Sequence, residues 1–163
     1  VERSRGLGDV YKRQLLIREN NGLIPFVKNY DGDYLKFINV ALSFLGNTEE
    51  FDEELFALIT AISGSGPAWF YELSNQLVNS ATKLGMNEND ATNLIKGLIK
   101  ALPNLINEDD TFDELVNKVK SPKGTTEAGL NSLIVDNFDN IIFNAIHQAT
   151  NRSIEISTEL KNE

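Results

Sequence analysis

Residues 60–70 read TAISGSGPAWF, and this stretch decides the fold because two helical patterns meet there. Apolar residues recur at helical spacing on both sides of it. Between the two patterns the side chains are small, and Pro67 suits the first turn of a helix because it has no backbone N–H to donate. The sequence therefore predicts a small-residue hinge between two helices, open to close approach by another helix or by a ligand.

The chain before the hinge has two parts. Residues 1–14 start without Met and carry four basic residues but no apolar period, so we interpret them as a non-native, disordered lead. Short apolar runs at 15–17 and 23–27 flank an Asn-Asn-Gly turn and are typical of strands, which could pair or finish a sheet that began upstream. Residues 34–45 then show helical spacing, and the segment 15–46 reads as a strand-then-helix ending.

From Asp52 onward the sequence predicts only helices. An acidic run at 49–54 suits the start of a helix at about 52–62, because carboxylates interact favourably with the helix dipole. Further helices are predicted at about 67–84, 88–106, 112–119, after Thr126 and at about 137–160. The predicted buried face of the last one comprises Ile142, Ala145, Ile146, Ala149 and Ile156. The helices at 67–84 and 137–160 are too apolar for a lone thin bundle, so we expect a helix-mediated dimer to cover them.

Composition excludes several classes of function. The formal charge of −9, without a basic stripe, argues against a nucleic-acid or anionic-membrane partner. The chain has no cysteine and one histidine, so it offers neither a disulfide framework nor a His-rich metal site, and we predict no bound metal. With no signal peptide and no apolar run of membrane-spanning length, a cytoplasmic location is the expectation.

A second stretch of small and hydroxylated residues lies at 121–126 and reads SPKGTT. It precedes a helical pattern, and the free N–H groups at the start of a helix attract anions. Gly124, Thr125 and Thr126 could therefore hold a carboxylate. The same residues are also what an ordinary helix-cap loop uses, and the local pattern leaves both interpretations open.

Four motifs taken together resemble the pyrroline-5-carboxylate reductase family. They are AISGSGPAW at 61–69, KLGM at 83–86, SPKGTTEAGL at 121–130, and the segment from Ala145 to Glu155. Their order and spacing agree with the family, and the resemblance extends from about Gly22 to Glu155.

The resemblance implies a mainly α fold. Residues 47–163 would form a helical dimerisation and substrate-binding domain, like the C-terminal domain of 6-phosphogluconate dehydrogenase, and 15–46 would be the remnant of an α/β Rossmann domain. It implies a homodimer, or a higher homo-oligomer, that reduces 1-pyrroline-5-carboxylate to L-proline with NADPH or NADH. Ser121, Gly124, Thr125 and Thr126 fall on positions that hold the substrate carboxylate, and Thr60 falls near the nicotinamide and the imine as the catalytic candidate.

The sequence also departs from the family. A glycine fingerprint for a dinucleotide is absent, so we expect the cofactor to be bound mainly by an N-terminal domain outside this chain, and the chain alone to be inactive. Lys123 stands where the family's substrate loop usually has glycine. Two alternatives remain open: a stand-alone helical dimerisation module without activity, and another NADP-dependent dehydrogenase of the 6-phosphogluconate class.

Overall fold

A computed structural model of the protein describes residues 23–27, 40, 47–107 and 109–161, and these residues confirm the mainly helical fold class. Two strands come first, β1 at Leu23–Val27 and β2 at Asn47–Phe51. The helices are α1 at Phe56–Lys83, α2 at Glu88–Ala101, α3 at Phe112–Val119, α4 at Thr125–Val135 and α5 at Phe138–Lys161. Short 3-10 helices lie at Glu53–Leu55 and Leu102–Leu105. The predicted lead at 1–14 and the predicted strand at 15–17 lie outside the described residues.

The two strands form a parallel pair in which Leu23 lies opposite Asn47. β1 coincides with the predicted strand, and a parallel pair needs a crossover connection, of which only the helical residue Val40 is described. The local pattern does not predict β2. The expectation that the acidic run begins a helix is wrong for Glu49 and Glu50, which lie in β2. The ladder with β1 is a long-range interaction that a local pattern does not contain.

The predicted hinge is not a break between helices, because α1 runs without interruption from Phe56 to Lys83 with Pro67 inside it. Proline normally forces the preceding residue out of the helical region by a clash with that residue's Cβ. Here the preceding residue is Gly66, which has no Cβ, so this clash does not arise. The helix loses one backbone hydrogen bond at Pro67 and continues.

The ends of α1 and α2 follow the local signals. Gly85 has a φ of 104°, and the N–H groups of Gly85 and Met86 donate to the carbonyls of Thr82 and Ala81 at 3.0 and 3.1 Å. This pair of bonds is a Schellman motif, which ends α1 where a glycine can adopt the left-handed conformation. Asn87 caps α2 by accepting from the N–H of Asn89 at 2.9 Å. The α-helix ends at Ala101, just before Pro103, as the missing N–H of proline requires.

A capping box begins α3, as the sequence predicts. The Thr111 hydroxyl accepts from the backbone N–H of Glu114 at 3.2 Å, and the Glu114 carboxylate accepts from the backbone N–H of Thr111 at 2.8 Å. These hydrogen bonds favour the charged carboxylate and lower the pKa of Glu114 below its ordinary value.

We expect Thr111→Ala to destabilise the protein by about 1 kcal/mol at neutral pH, because the helix start loses its side-chain acceptor. A depressed carboxyl pKa stabilises the folded state above the unfolded pKa, and this contribution is lost as the pH falls through the folded pKa of Glu114. The difference between wild type and variant should therefore shrink in acid. Urea unfolding of both proteins between neutral and acidic pH measures it, and a difference that grows in acid would contradict the assignment.

Contacts divide the chain into two compact units. One contains the described residues up to Pro67 and those from Ala145 onward, and the other runs from Ala68 to Asn144. The proposed domain boundary at 46/47 stays a prediction, and the β1–β2 pair crosses it.

The described part of the chain buries very little apolar surface in a single copy. Among the described residues, the buried apolar side chains are Ala61 and Ala91. Ile142 and Ile156, on the predicted buried face, are 40% and 42% exposed in one copy, and their burial by a second copy stays a prediction. Other exposed apolar side chains on α1, α2 and α5 include Phe70, Leu73, Leu77, Leu94, Leu98, Ile141 and Phe143. None of the helices in the described ranges is long and apolar enough to cross a membrane.

Candidate functional site

A tight turn at Ser121–Gly124 leads into α4. The N–H of Gly124 donates to the carbonyl of Ser121 at 3.0 Å, and the backbone of Lys123 within the turn has a φ of 58°. This left-handed conformation costs a residue with a Cβ roughly 1–2 kcal/mol, whereas glycine adopts it freely. The turn geometry therefore favours glycine at the position that Lys123 occupies.

Gly124 is the N-cap of α4 and lies against Ser121. Its φ of −87° and ψ of 174° are open to any residue, so the constraint here is space rather than backbone conformation. A Cβ at this position would lie 2.2 Å from Ser121 Oγ and 3.0 Å from the Ser121 carbonyl oxygen. The absence of a side chain at Gly124 thus lets the Ser121 hydroxyl lie next to the start of the helix.

The start of α4 presents unpaired backbone donors. The first helical hydrogen bond runs from the N–H of Ala128 to the carbonyl of Gly124 at 3.1 Å. Within the described part of the chain, the N–H groups of Thr125, Thr126 and Glu127 have no acceptor. The Ser121 and Thr125 side chains are exposed, and that of Thr126 is half-buried. Four of the predicted site residues are therefore brought together by local structure, and this arrangement of N–H and hydroxyl groups suits a small carboxylate.

Glu127 is a part of this loop that the sequence interpretation missed. One oxygen of its carboxylate accepts from the backbone N–H of Lys123 at 2.8 Å, and the other lies 3.5 Å from the Lys120 ammonium nitrogen. A signal was available, because glutamate at the third helical position commonly reaches back to a backbone N–H before the helix. Here it reaches the residue before the N-cap.

Thr60, the catalytic candidate, lies on α1 with an exposed side chain. It belongs to the compact unit that ends at Pro67, whereas the loop residues belong to the unit from Ala68 to Asn144. The role of Thr60 stays a prediction, as do the roles of the four loop residues.

A groove of about 430 Å³ lies between α1 and α2 and was not predicted. Apolar side chains of Val78, Ile95 and Ile99 line it together with the ammonium groups of Lys96 and Lys100. Among the described residues, no group of three or more His, Cys, Asp or Glu side chains is placed to hold a metal ion.

The comparison with protein families decides the identity of this arrangement. Residues 53–156 match the family model described as pyrroline-5-carboxylate reductase dimerisation. The chain belongs to the pyrroline-5-carboxylate reductase family. The match contains both special stretches, the small-residue segment of α1 and the loop before α4, so the resemblance stated from the motifs is confirmed.

Curated relatives in this family include the pyrroline-5-carboxylate reductases of Staphylococcus haemolyticus and Staphylococcus aureus. Each is 33% identical to this chain over 135 residues, which is 82% of the chain and 50% of the relative. The chain therefore spans about half the length of the curated relatives it matches.

Solved structures of pyrroline-5-carboxylate reductases share the fold. The Plasmodium falciparum enzyme with NADP bound is 29% identical, with a TM-score of 0.64 over 79% of this chain and 51% of the other. The Coxiella burnetii enzyme is 25% identical, with a TM-score of 0.71 over 83% and 52%. Their coverage confirms that the described helices have the architecture of this reductase family.

Proposed function

We propose that this chain is the dimerisation and substrate-binding part of a pyrroline-5-carboxylate reductase. The complete enzyme reduces the C=N bond of 1-pyrroline-5-carboxylate with NADPH or NADH and yields L-proline. The observation that carries the proposal is the start of α4, where unpaired N–H groups and the Ser121 hydroxyl converge in a chain of this family.

The carboxylate of the substrate would bind at the start of α4. The N–H groups of Thr125 and Thr126 donate to its oxygens, and the hydroxyls of Ser121 and Thr126 add further donors. The positive end of the helix dipole favours the same negative charge. A ring fixed by its carboxylate presents its imine carbon in a constant direction, and such orientation lowers the barrier without a nucleophile or a proton relay from the protein.

The described residues do not by themselves fit a nicotinamide dinucleotide. Such a cofactor needs a glycine-rich turn between a strand and a helix, and the described ranges contain no such turn after β1 or β2. The Plasmodium falciparum relative has NADP bound. We propose the same class of cofactor here, held mainly by a Rossmann domain outside these residues, with Thr60 lying close to the nicotinamide and the imine.

The active assembly would be a homodimer or a higher homo-oligomer. The large apolar side chains exposed on α1, α2 and α5 in one copy support this, because burial of such side chains in an interface is favourable. The same surfaces support the second candidate, a dimerisation module without catalytic activity. We expect no nucleic-acid or membrane partner, and the cytoplasmic location stays a prediction.

The two candidates are separated by joining this chain to the half of the Staphylococcus haemolyticus reductase that it does not cover. We expect the joined protein to oxidise NADPH when 1-pyrroline-5-carboxylate is added. A folded dimer without turnover would favour the module without activity. Turnover only with 6-phosphogluconate, followed as reduction of NADP+ to NADPH, would favour the other dehydrogenase class.

In the joined protein, Thr126→Val should raise KM for 1-pyrroline-5-carboxylate roughly tenfold and leave kcat nearly unchanged, because a hydrogen bond to a charged group is lost while volume is kept. Thr158→Val is the matched control. Thr158 also lies on a helix, where its hydroxyl donates to the carbonyl of Ile154 at 2.9 Å. An unchanged KM in the Thr126 variant, or an equal rise in both variants, would reject the carboxylate site.

A further inference from the structure

We infer that Glu127 is a positioning residue for the substrate loop, because it holds the left-handed backbone of Lys123. This inference rests on the proposed function, because it names what holds the proposed carboxylate site in shape. Glu127 makes no contact with the substrate in this scheme. It acts through the backbone of Lys123.

The backbone of Lys123 has an unfavourable conformation. Its φ of 58° is unfavourable for a residue with a Cβ, so the loop has a local tendency to leave this geometry. A hydrogen bond from the Lys123 N–H to Glu127 Oε2, at 2.8 Å, opposes that tendency. Because the acceptor is a carboxylate, this bond is stronger than one between neutral groups.

Some backbone N–H groups of the loop are used within the turn, and others remain for the substrate. The Gly124 N–H is used by the Ser121 carbonyl at 3.0 Å, and the Lys123 N–H is used by Glu127. The N–H groups of Thr125 and Thr126 keep no acceptor within the described chain. Glu127 thus stabilises the turn by accepting from the Lys123 N–H, which the proposed carboxylate site does not use. The N–H groups of Thr125 and Thr126 stay available for the substrate.

The negative charge of Glu127 would by itself repel a bound carboxylate. Lys120 lies 3.5 Å from the second carboxylate oxygen, and both side chains are only about one third exposed, at 36% for Lys120 and 31% for Glu127. The pair offsets the negative charge next to the site. Lys120 therefore makes a carboxylate tolerable at a position where an anion has to bind.

The test uses the 163-residue chain and L-proline as the probe, with binding followed by NMR shifts of the Thr125 and Thr126 amides. Pyrrolidine, which lacks the carboxylate, is the ligand control. We expect Glu127→Ala to raise the Kd for L-proline roughly tenfold, which corresponds to the loss of one charge-assisted hydrogen bond. Hydrogen exchange at the Lys123 amide should accelerate in the same variant.

Two further variants separate positioning from general structural damage. Glu127→Gln keeps an acceptor for the Lys123 N–H, so its Kd should stay within about threefold of wild type. Lys123→Gly combined with Glu127→Ala should recover most of the lost affinity, because glycine holds the turn unaided. Glu155→Ala is the charge-matched control, since it removes an exposed glutamate that pairs with Arg152 on α5.

The outcomes distinguish the two levels of the claim. If wild type binds L-proline and Glu127→Ala binds it equally well, the positioning role is wrong and the proposed function stands. If wild type shows no shift at Thr125 or Thr126, the proposed carboxylate site fails, and the inference fails with it. If Glu127→Ala does not fold, the other two variants decide, and weak binding by the folded double variant overturns the inference.

Discussion

Leu94→Asp combined with Leu98→Asp should convert the proposed homodimer into monomers. The two side chains are 60% and 48% exposed in one copy, and they lie one turn apart on α2. Burying a leucine contributes about 1.5–3 kcal/mol, and a two-fold interface contains each residue twice. The lost burial and the cost of burying carboxylates together should raise the dissociation constant of the dimer at least roughly a thousandfold. Sedimentation equilibrium measures the change.

Asn93→Asp is the matched control for this double variant. Asn93 is an exposed polar residue on the same helix, so the substitution adds a carboxylate without removing apolar surface. We expect its dissociation constant to stay within about threefold of wild type, because an exposed charge changes association only slightly. If the Leu94 and Leu98 variant remains a dimer at micromolar concentration, the α2 face is not part of the interface.

Gly124→Ala should abolish most substrate binding by the loop before α4. The new Cβ would lie 2.2 Å from Ser121 Oγ and 3.0 Å from the Ser121 carbonyl oxygen, so the Ser121 side chain has to rotate and the turn has to widen slightly. Rotation moves the Ser121 hydroxyl away from the helix start, and the widening lengthens the 3.0 Å hydrogen bond from the Gly124 N–H to the Ser121 carbonyl. We expect the Kd for L-proline to rise by roughly ten- to a hundredfold, as for the loss of one or two hydrogen bonds to a charged group.

Gly129→Ala provides the comparison within the same helix. A Cβ at Gly129 meets no atom within 4 Å outside its own helical surroundings, so the substitution is sterically free in one copy. Alanine also has a higher helix propensity, by about 1 kcal/mol. The Gly129 variant should therefore bind L-proline as wild type does and melt no lower. Equal losses at both glycines would show that general helix perturbation, rather than the contact with Ser121, causes the effect.

Helix boundaries were predictable where one or two residues determine them. The Asn87 cap, the capping box at Thr111 and the glycine after α1 each act through hydrogen bonds within a few residues of the chain. Such signals can be read from the sequence because all the atoms involved are close along it.

The features that were missed depend on partners that local patterns do not contain. β2 exists because of a ladder with residues 24 positions earlier in the chain, as in the pair Leu23 and Asn47. The helical apolar period at α5 indicates a face, but it does not say whether the same copy or a second copy covers it. Ile142 and Ile156 lie on this face and are exposed in one copy, so only a structure of the dimer can show what covers them. The hinge predicted at Pro67 is not a helix break, because Gly66 before it lets the helix continue.

The candidate site was predictable in its residues but not in its geometry. The Gly-Thr-Thr lead indicates a helix start with available N–H groups, and α4 does begin at Thr125. The left-handed backbone of Lys123 could not be read from the sequence, because lysine does not favour it. Once that conformation is known, the role of Glu127 can be explained, because its carboxylate accepts from the Lys123 N–H.

In one copy, residues 47–107 and 109–161 bury almost no apolar side chains, and this has a thermodynamic consequence. If most of the stabilising burial forms only on association, the folded state is favoured by mass action, and the melting temperature depends on protomer concentration. Each tenfold dilution then lowers the stability of the dimer relative to separate chains by about 1.4 kcal/mol. At low protein concentration, newly made copies would depend on meeting one another before proteases reach their uncovered helices.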